Sequence, residues 1–283
     1  MSQTELLNIM ARVDSFPSMP GAATKLLTLL DNPDSTAAQV EEILRYDPGL
    51  TANVLKLTNS AYFGLPAKVA SVRQAIVLLG WKTIFKLVMT SCMNAVIGKQ
   101  VPGYDLSAGE LWRHSLAVSV AAEGLMKELK IAAPDEVFTA ALLHDVGKMV
   151  LGDFVQEDRE KLDRLASPDL PFQELEQQVF GADHAEIGAR ILSNWSLPAE
   201  IVGAVRWHHA PDSAAKPSTV IDIVHVADML CLMIGIGVGR EGLQYEPLAS
   251  ATKRLGLRHD HLEVVASQTL QWVDDLSDVF GTD

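Results

Sequence analysis

The sequence predicts an all-α fold, and two observations carry that prediction. The apolar content, 48% of 283 residues, rests on Ala and Leu with aromatics at only 6%. Those residue types lose least on entering a helix. Apolar positions also recur at helical spacing in short runs separated by Pro- or Gly-marked connections, the pattern of a compact bundle. A chain of this length buries a sizeable core in one large or two modest domains.

Taken in order, residues 1–14 read as a short leading helix and Phe16-Pro17-Ser18-Met19-Pro20 as a turn. A helix over 22–30 ends at Asp31-Asn32-Pro33, and Ser35-Thr36 caps the next, where Thr36, Val40, Ile43 and Leu44 repeat at helical spacing. Asp47-Pro48 closes that helix and opens another, with Leu50, Val54, Leu55 and Leu57 on one face. The loop Asn59-Ser60-Ala61-Tyr62-Phe63-Gly64 precedes two more helices, over 72–79 and 81–96. A second block begins near Ser107 with a helix from Glu110 to about Leu129. Pro134-Asp135-Glu136 opens the helix carrying His144, and 153–175 reads as a solvated helix and loop. Leu197-Pro198 opens the helix ending in His208-His209, 219–233 is an apolar helix, 235–246 a flexible connection, and 260–276 a final amphipathic helix. There is no internal repeat.

The formal charge is −13, from 23 basic and 36 acidic residues, which argues against a nucleic-acid backbone or an anionic membrane as partner. Cys92 and Cys231 lack metal-type spacing and read as buried free thiols of a reducing compartment. The first residues carry no basic and apolar leader, and the apolar stretch 220–239 is broken by Asp222, His225 and Asp228. A cytoplasmic protein without a membrane span is the expectation.

The chemistry-bearing residues centre on His144-Asp145, an adjacent pair at the end of the apolar run from Ala140, with Lys148 three residues on. Neutral imidazole suits first-row divalent metals, and a neighbouring carboxylate can bridge two ions. Further ligand types follow a helical logic. Glu110 and His114, four apart, share a helix face, and His208 and His209 are adjacent at a helix end. Asp228 sits in an apolar helix, where a carboxylate is costly unless paired or bound to metal.

The strings Phe16-Pro17-Ser18-Met19-Pro20, Asp47-Pro48-Gly49-Leu50, Asn59-Ser60-Ala61-Tyr62-Phe63-Gly64 and Val72-Arg73-Gln74-Ala75-Ile76 closely resemble the HDOD (HD-related output domain) family of bacterial signalling proteins. The resemblance spans about 15–235 and implies an HD-superfamily helical bundle, with an N-terminal helical subdomain over 1–105. The HD-type bundle with the metal site and the C-terminal helix would then occupy 106–283. The order of ligand types is similar to that of HD-GYP phosphohydrolases. By that resemblance Asp145 would bridge two ions, iron or manganese. His114, His144 and Asp228 would hold one ion, His184, His208 and His209 the other, with Glu110 as an additional ligand. Asp145 and Lys148 are the candidate catalytic residues, the ammonium binding a phosphate oxygen or orienting the attacking water. The Gly-Tyr-Pro loop of the HD-GYP group has no counterpart, so cyclic di-GMP is not the expected substrate.

Other polar residues read more plainly. Asp183 and Glu186 flank His184 and are expected to orient it; His225 supports the site or the core; His259 and His261 face solvent. Gly235 to Gly239 lacks the strand and Lys-Ser/Thr of a phosphate loop and reads as a helix terminus. The function expected is metal-dependent phosphoester hydrolysis or nucleotide sensing, with a phosphorylated or nucleotide ligand. The alternative is a non-catalytic regulatory module that binds a signalling protein through residues 15–100, with Tyr62 and Phe63 as contacts.

Overall fold

A computed structural model describes residues 3–30, 36–45, 47–132, 136–168, 170–240 and 246–280. Among the described residues the repeating structure is helical, with one isolated antiparallel bridge between Val101 and Leu106 in place of any sheet. In chain order the helices are α1 (Gln3–Asp14), α2 (Gly21–Leu30), α3 (Ala37–Arg45), α4 (Pro48–Thr58), α5 (Val72–Leu79) and α6 (Trp81–Ile97). Then come α7 (Glu110–Leu129), α8 (Glu136–Leu143), α9 (Lys148–Glu157), α10 (Arg159–Leu165) and α11 (Phe172–Phe180). The last are α12 (His184–Asn194), α13 (Ala199–Trp207), α14 (Thr219–Met233), α15 (Ala249–Leu255) and α16 (His259–Phe280). The helix end at Asp31-Asn32-Pro33, the Ser35 cap, the Pro134-Asp135 start and positions 241–245 of the late connection lie outside the described residues. No helix among the described residues is long and apolar enough to cross a membrane.

The chain forms two compact units, one of residues 1–17 and 97–269, the other of 18–96 and 270–283. This grouping is not the division at 105 drawn from sequence. Packing decides it: α1 lies on α9 and α12 and so joins the larger unit, while the end of α16 belongs to the smaller.

In the smaller unit the starts of α4 and α5 follow from their caps. Asp47 accepts from the Leu50 amide at 2.9 Å with Pro48 opening the helix, and Ser71 accepts from the Gln74 amide at 3.2 Å. Asn59 shapes the loop that follows. Its amide group donates to the Leu55 and Val69 carbonyls at 2.7 and 2.9 Å, and its carbonyl accepts from the Val69 amide at 2.7 Å. Tyr62 is not a free contact residue: it packs edge-on against Phe63 and Trp272, with centroids 4.8 and 6.0 Å away.

In the larger unit α7, α8, α13 and α14 pack on one another, with α12 against α13 and α9. Every residue of α14 from Val220 to Leu232 is buried, Asp222, His225 and Asp228 included. A helix buried on all sides has no solvated face, so its polar residues must find partners inside the protein. Asp222 does so through the guanidinium of Arg254, at 2.7 and 2.6 Å.

The approach of α9 to α12 depends on glycine. A Cβ on Gly147 would overlap the His184 carbonyl oxygen and stand 2.6 Å from the Gly188 amide. The two backbones therefore touch just where His144-Asp145 must meet His184. Gly147→Ala is expected to lower unfolding stability by about 3 kcal/mol through overpacking. Urea unfolding of metal-free protein checks this, and an unchanged midpoint would show that the helices can part without penalty.

Candidate metal centre

Seven of the eight ligands expected from sequence come together. His114 lies one turn into α7, His144 and Asp145 in the turn between α8 and α9, and His184 at the first position of α12 behind its Asp183 cap. His208 and His209 follow the end of α13, and Asp228 lies within α14. Helix ends and the buried stretches of α7 and α14 thus present the donors to one point in the core of the larger unit. All are at most 2% exposed except His209, which is half-buried.

Glu110 is not brought to this point. It occupies the first position of α7, its side chain is exposed, and its carboxylate accepts from the Ser107 amide at 2.5 Å. Free N–H groups at a helix start attract a carboxylate. That local attraction keeps Glu110 at the surface.

The donors form groups whose ligand atoms lie within 4.8 Å of one another: His114, His144 and Asp145; Asp145, His184, His208 and His209; and His144, His208 and Asp228. Asp145 joins the first two. Its Oδ2 is 3.5 Å from His114 Nε2 and 3.3 Å from His144 Nε2. Its Oδ1 is 3.3 Å from His184 Nε2 and 3.9 Å from His208 Nε2. Asp228 Oδ1 lies 3.1 Å from His114 Nε2 and 3.5 Å from His144 Nε2. Lys148 is 2% exposed, and its ammonium donates to Asp145 Oδ2 at 2.7 Å.

Four of the five rings are held from behind. His114 Nδ1 meets the Ile236 carbonyl at 2.9 Å, His144 Nδ1 the Ala141 carbonyl at 2.7 Å, and His208 Nδ1 the Val205 carbonyl at 2.7 Å. A carbonyl only accepts, so these Nδ1 atoms carry hydrogens, and the inward Nε2 of each neutral ring is a lone pair. The loop after α14 closes over His114, and a Cβ on Gly237, at φ +72°, would stand 2.5 Å from the His114 Cβ. His225 in turn donates from Nδ1 to the His208 carbonyl at 2.6 Å and accepts the Leu248 amide at 2.9 Å.

The orienting partner of His184 is neither Asp183 nor Glu186. Asp183 caps α12 by accepting from the Glu186 amide at 2.6 Å, and Glu186 pairs with Arg206 at 3.1 Å. Glu176, on α11, takes that place. Its Oε2 accepts from both the backbone amide and Nδ1 of His184 at 2.8 Å, and its Oε1 accepts from the Tyr104 hydroxyl at 2.6 Å. A signal was present in the sequence. Phe172, Leu175, Glu176, Val179 and Phe180 all fall on the buried stripe of α11, so a carboxylate stands where an apolar residue belongs. Another correction concerns His261, which is 8% exposed and accepts from the Arg258 amide, while His259 faces solvent beside Glu263.

The electrostatics describe a site short of positive charge. Burial opposes a charge on His144, yet Asp145 and Asp228 raise its pKa to about 10. Burial likewise opposes a charge on His184, and the Glu176 carboxylate raises it to about 9. Burial pushes His208 down to about 3 and His209 well below the usual imidazole range, the neighbouring imidazoles adding to the effect. Burial alone would raise Asp145 and Asp228, but the surrounding histidines, and Lys148 for Asp145, hold both well below the carboxylate range.

The donor set fits divalent metal. His114 Nε2 lies 3.1 Å from an Asp228 oxygen, a spacing that a proton or a metal ion between the two atoms would hold. Among the described residues, Asp145 Oδ1, Asp228 Oδ2 and His208 Nε2 are buried without a hydrogen-bond partner. Such atoms are rare in a folded core and mark a place for an ion.

Comparison with known proteins identifies the family and the fold. The HDOD domain family model matches residues 16–211. An uncharacterized protein of Treponema pallidum (strain Nichols) is 26% identical over 229 residues, 78% of this chain and 43% of the relative. The chain thus spans less than half the length of that relative. The crystal structure of an HDOD domain protein with unknown function from Geobacter sulfurreducens matches with a TM-score of 0.78 at 25% identity, over 98% of this chain and 97% of that one. A proposed phosphohydrolase from Shewanella amazonensis SB2B shares the fold, with a TM-score of 0.71 at 23% identity over 96% and 97% of the two chains.

At neutral pH the protons on His144 and His184 occupy positions that a metal ion needs. Metal uptake by metal-free protein is therefore expected to release protons, and apparent affinity to rise from pH 7 to 9 as those protons become easier to displace. Titration of Mn²⁺ into weakly buffered protein with an indicator dye reads both. An affinity that falls over this range would contradict the assignment.

Proposed function

The chain belongs to the HDOD domain family, and from that premise we propose that it holds two divalent cations in this centre and hydrolyses a phosphoester within a signalling pathway. The observation that carries the reading is the buried Asp145 carboxylate, whose two oxygens face separate groups of histidines. An inner ion would take His114, His144, Asp228 and Asp145 Oδ2; an outer ion would take His184, His208, His209 and Asp145 Oδ1. The donors are imidazoles and carboxylates without a thiolate, which suits iron or manganese. Two such ions supply a water deprotonated near neutral pH and a clamp for phosphoryl oxygens.

The protein's own groups have distinct tasks. Asp145 keeps the two positions at a common spacing, and Lys148 fixes that carboxylate through its 2.7 Å contact. The ammonium is also a cation that a phosphate oxygen or attacking water can use as partner. The backbone-tethered rings hold their Nε2 atoms inward before any ion arrives, so loading exchanges protons for metal with little movement of the rings.

A second reading, a non-catalytic regulatory module with a metal-stabilised core, is favoured by the enclosure of the donors. Only His209 is half-buried, whereas catalytic sites keep one side open to substrate. A partner surface on residues 15–100 would then use the exposed Val77 and Leu78 of α5 beside the half-buried Tyr62, one side of which Phe63 and Trp272 cover.

Metal content of anaerobically purified protein is the primary test. About two ions per chain are expected in wild type and none in Asp145→Ala with its helical content intact. Metal-loaded wild type should hydrolyse at least one member of a broad phosphomonoester and phosphodiester panel. Inertness across that panel with the metal in place removes the enzymatic reading and leaves the regulatory one.

A further inference from the structure

The two metal positions differ in how their charge is balanced. The inner position has two carboxylates, Asp228 and Asp145, with His114 and His144 backed by main-chain carbonyls. The outer position has three imidazoles and only the shared Asp145 carboxylate. Behind it stands Glu176, fully buried, with one oxygen on the His184 amide and Nδ1 and the other on the Tyr104 hydroxyl. The amide and the hydroxyl are uncharged donors, so the His184 ring is the partner through which the buried Glu176 charge is balanced.

We propose that Glu176 is the positioning residue of the outer metal position, supplying through the His184 ring the second negative charge that the inner position receives directly from Asp228. This inference rests on the two-ion reading above. It adds that the two ions are separable, and that one carboxylate, itself not a ligand, decides whether the outer one stays. A carboxylate behind a metal-bound imidazole fixes ring orientation and strengthens the nitrogen as a donor, and its loss typically weakens metal binding 10–100-fold. Tyr104 extends the chain of support, since its hydroxyl holds Oε1 while Oε2 meets His184.

The test is Mn²⁺ titration and elemental analysis of wild type, Glu176→Gln and Tyr104→Phe. Glu176→Gln keeps the shape and removes the charge. It is expected to drop the chain from about two ions to about one, with outer-site affinity 10–100-fold weaker and inner-site affinity within about twofold of wild type. Tyr104→Phe keeps Glu176 and should weaken the outer site alone, by a smaller factor. It also keeps the inference testable should the Gln variant fail to fold. A merely structural role would weaken both sites together or neither. Two ions of unchanged affinity in both variants would overturn the inference while leaving the dinuclear centre standing, whereas a metal-free wild type would overturn the centre itself and the inference with it.

Discussion

A carboxylate buried at 1% exposure, Asp145, governs the architecture of the larger unit. Taking such a group out of water costs several kcal/mol unless charge and hydrogen bonds replace the water. Lys148 supplies a fixed charge from one side, and histidines from α7, α12, the α8–α9 turn and the end of α13 bring ring nitrogens to it from the others. Meeting that requirement forces four chain segments to one point. The close backbone approach at Gly147 and the burial of α14 and of most of α7 are the packing solutions that let them meet.

The site is therefore built in layers of decreasing charge. Donor atoms lie at the centre, then ring nitrogens tied to carbonyls or to Glu176, then an apolar shell. The hydrophobic shell raises the strength of every interaction inside it, for attraction and for repulsion alike. Vacant lone pairs facing one another are tolerable there only when a cation sits among them. For that reason the same arrangement reads both as a high-pKa proton store and as a metal centre.

Much of this was legible in the sequence because helices advertise misplaced polarity. His114, His144, Asp145, His184, His208, His209 and Asp228 interrupt or terminate apolar helical runs, and the structure brings all seven together. Glu110 misled because four-residue spacing says that two side chains share a face but not that the first turn keeps that face inward. Glu176 was overlooked because a lone Glu among Gln and Glu resembles a solvated stretch until its register on the α11 stripe is counted. The grouping of α1 with the larger unit depends on packing between elements far apart in the chain, which no local pattern encodes.

Three of the rings are tethered by oxygens of Ala141, Val205 and Ile236, and in each case only the main chain takes part in the tether. Any amino acid that preserves the local backbone delivers the same oxygen. These positions can drift in identity across evolutionary time, within the volume limits of the core, without disturbing the centre. Glu176 has no such latitude, since its oxygens belong to a side chain. Divergent descendants of this protein should thus vary freely at three of the four tethers, and a directed library randomised at all four should recover diversity at three and a single answer at the fourth.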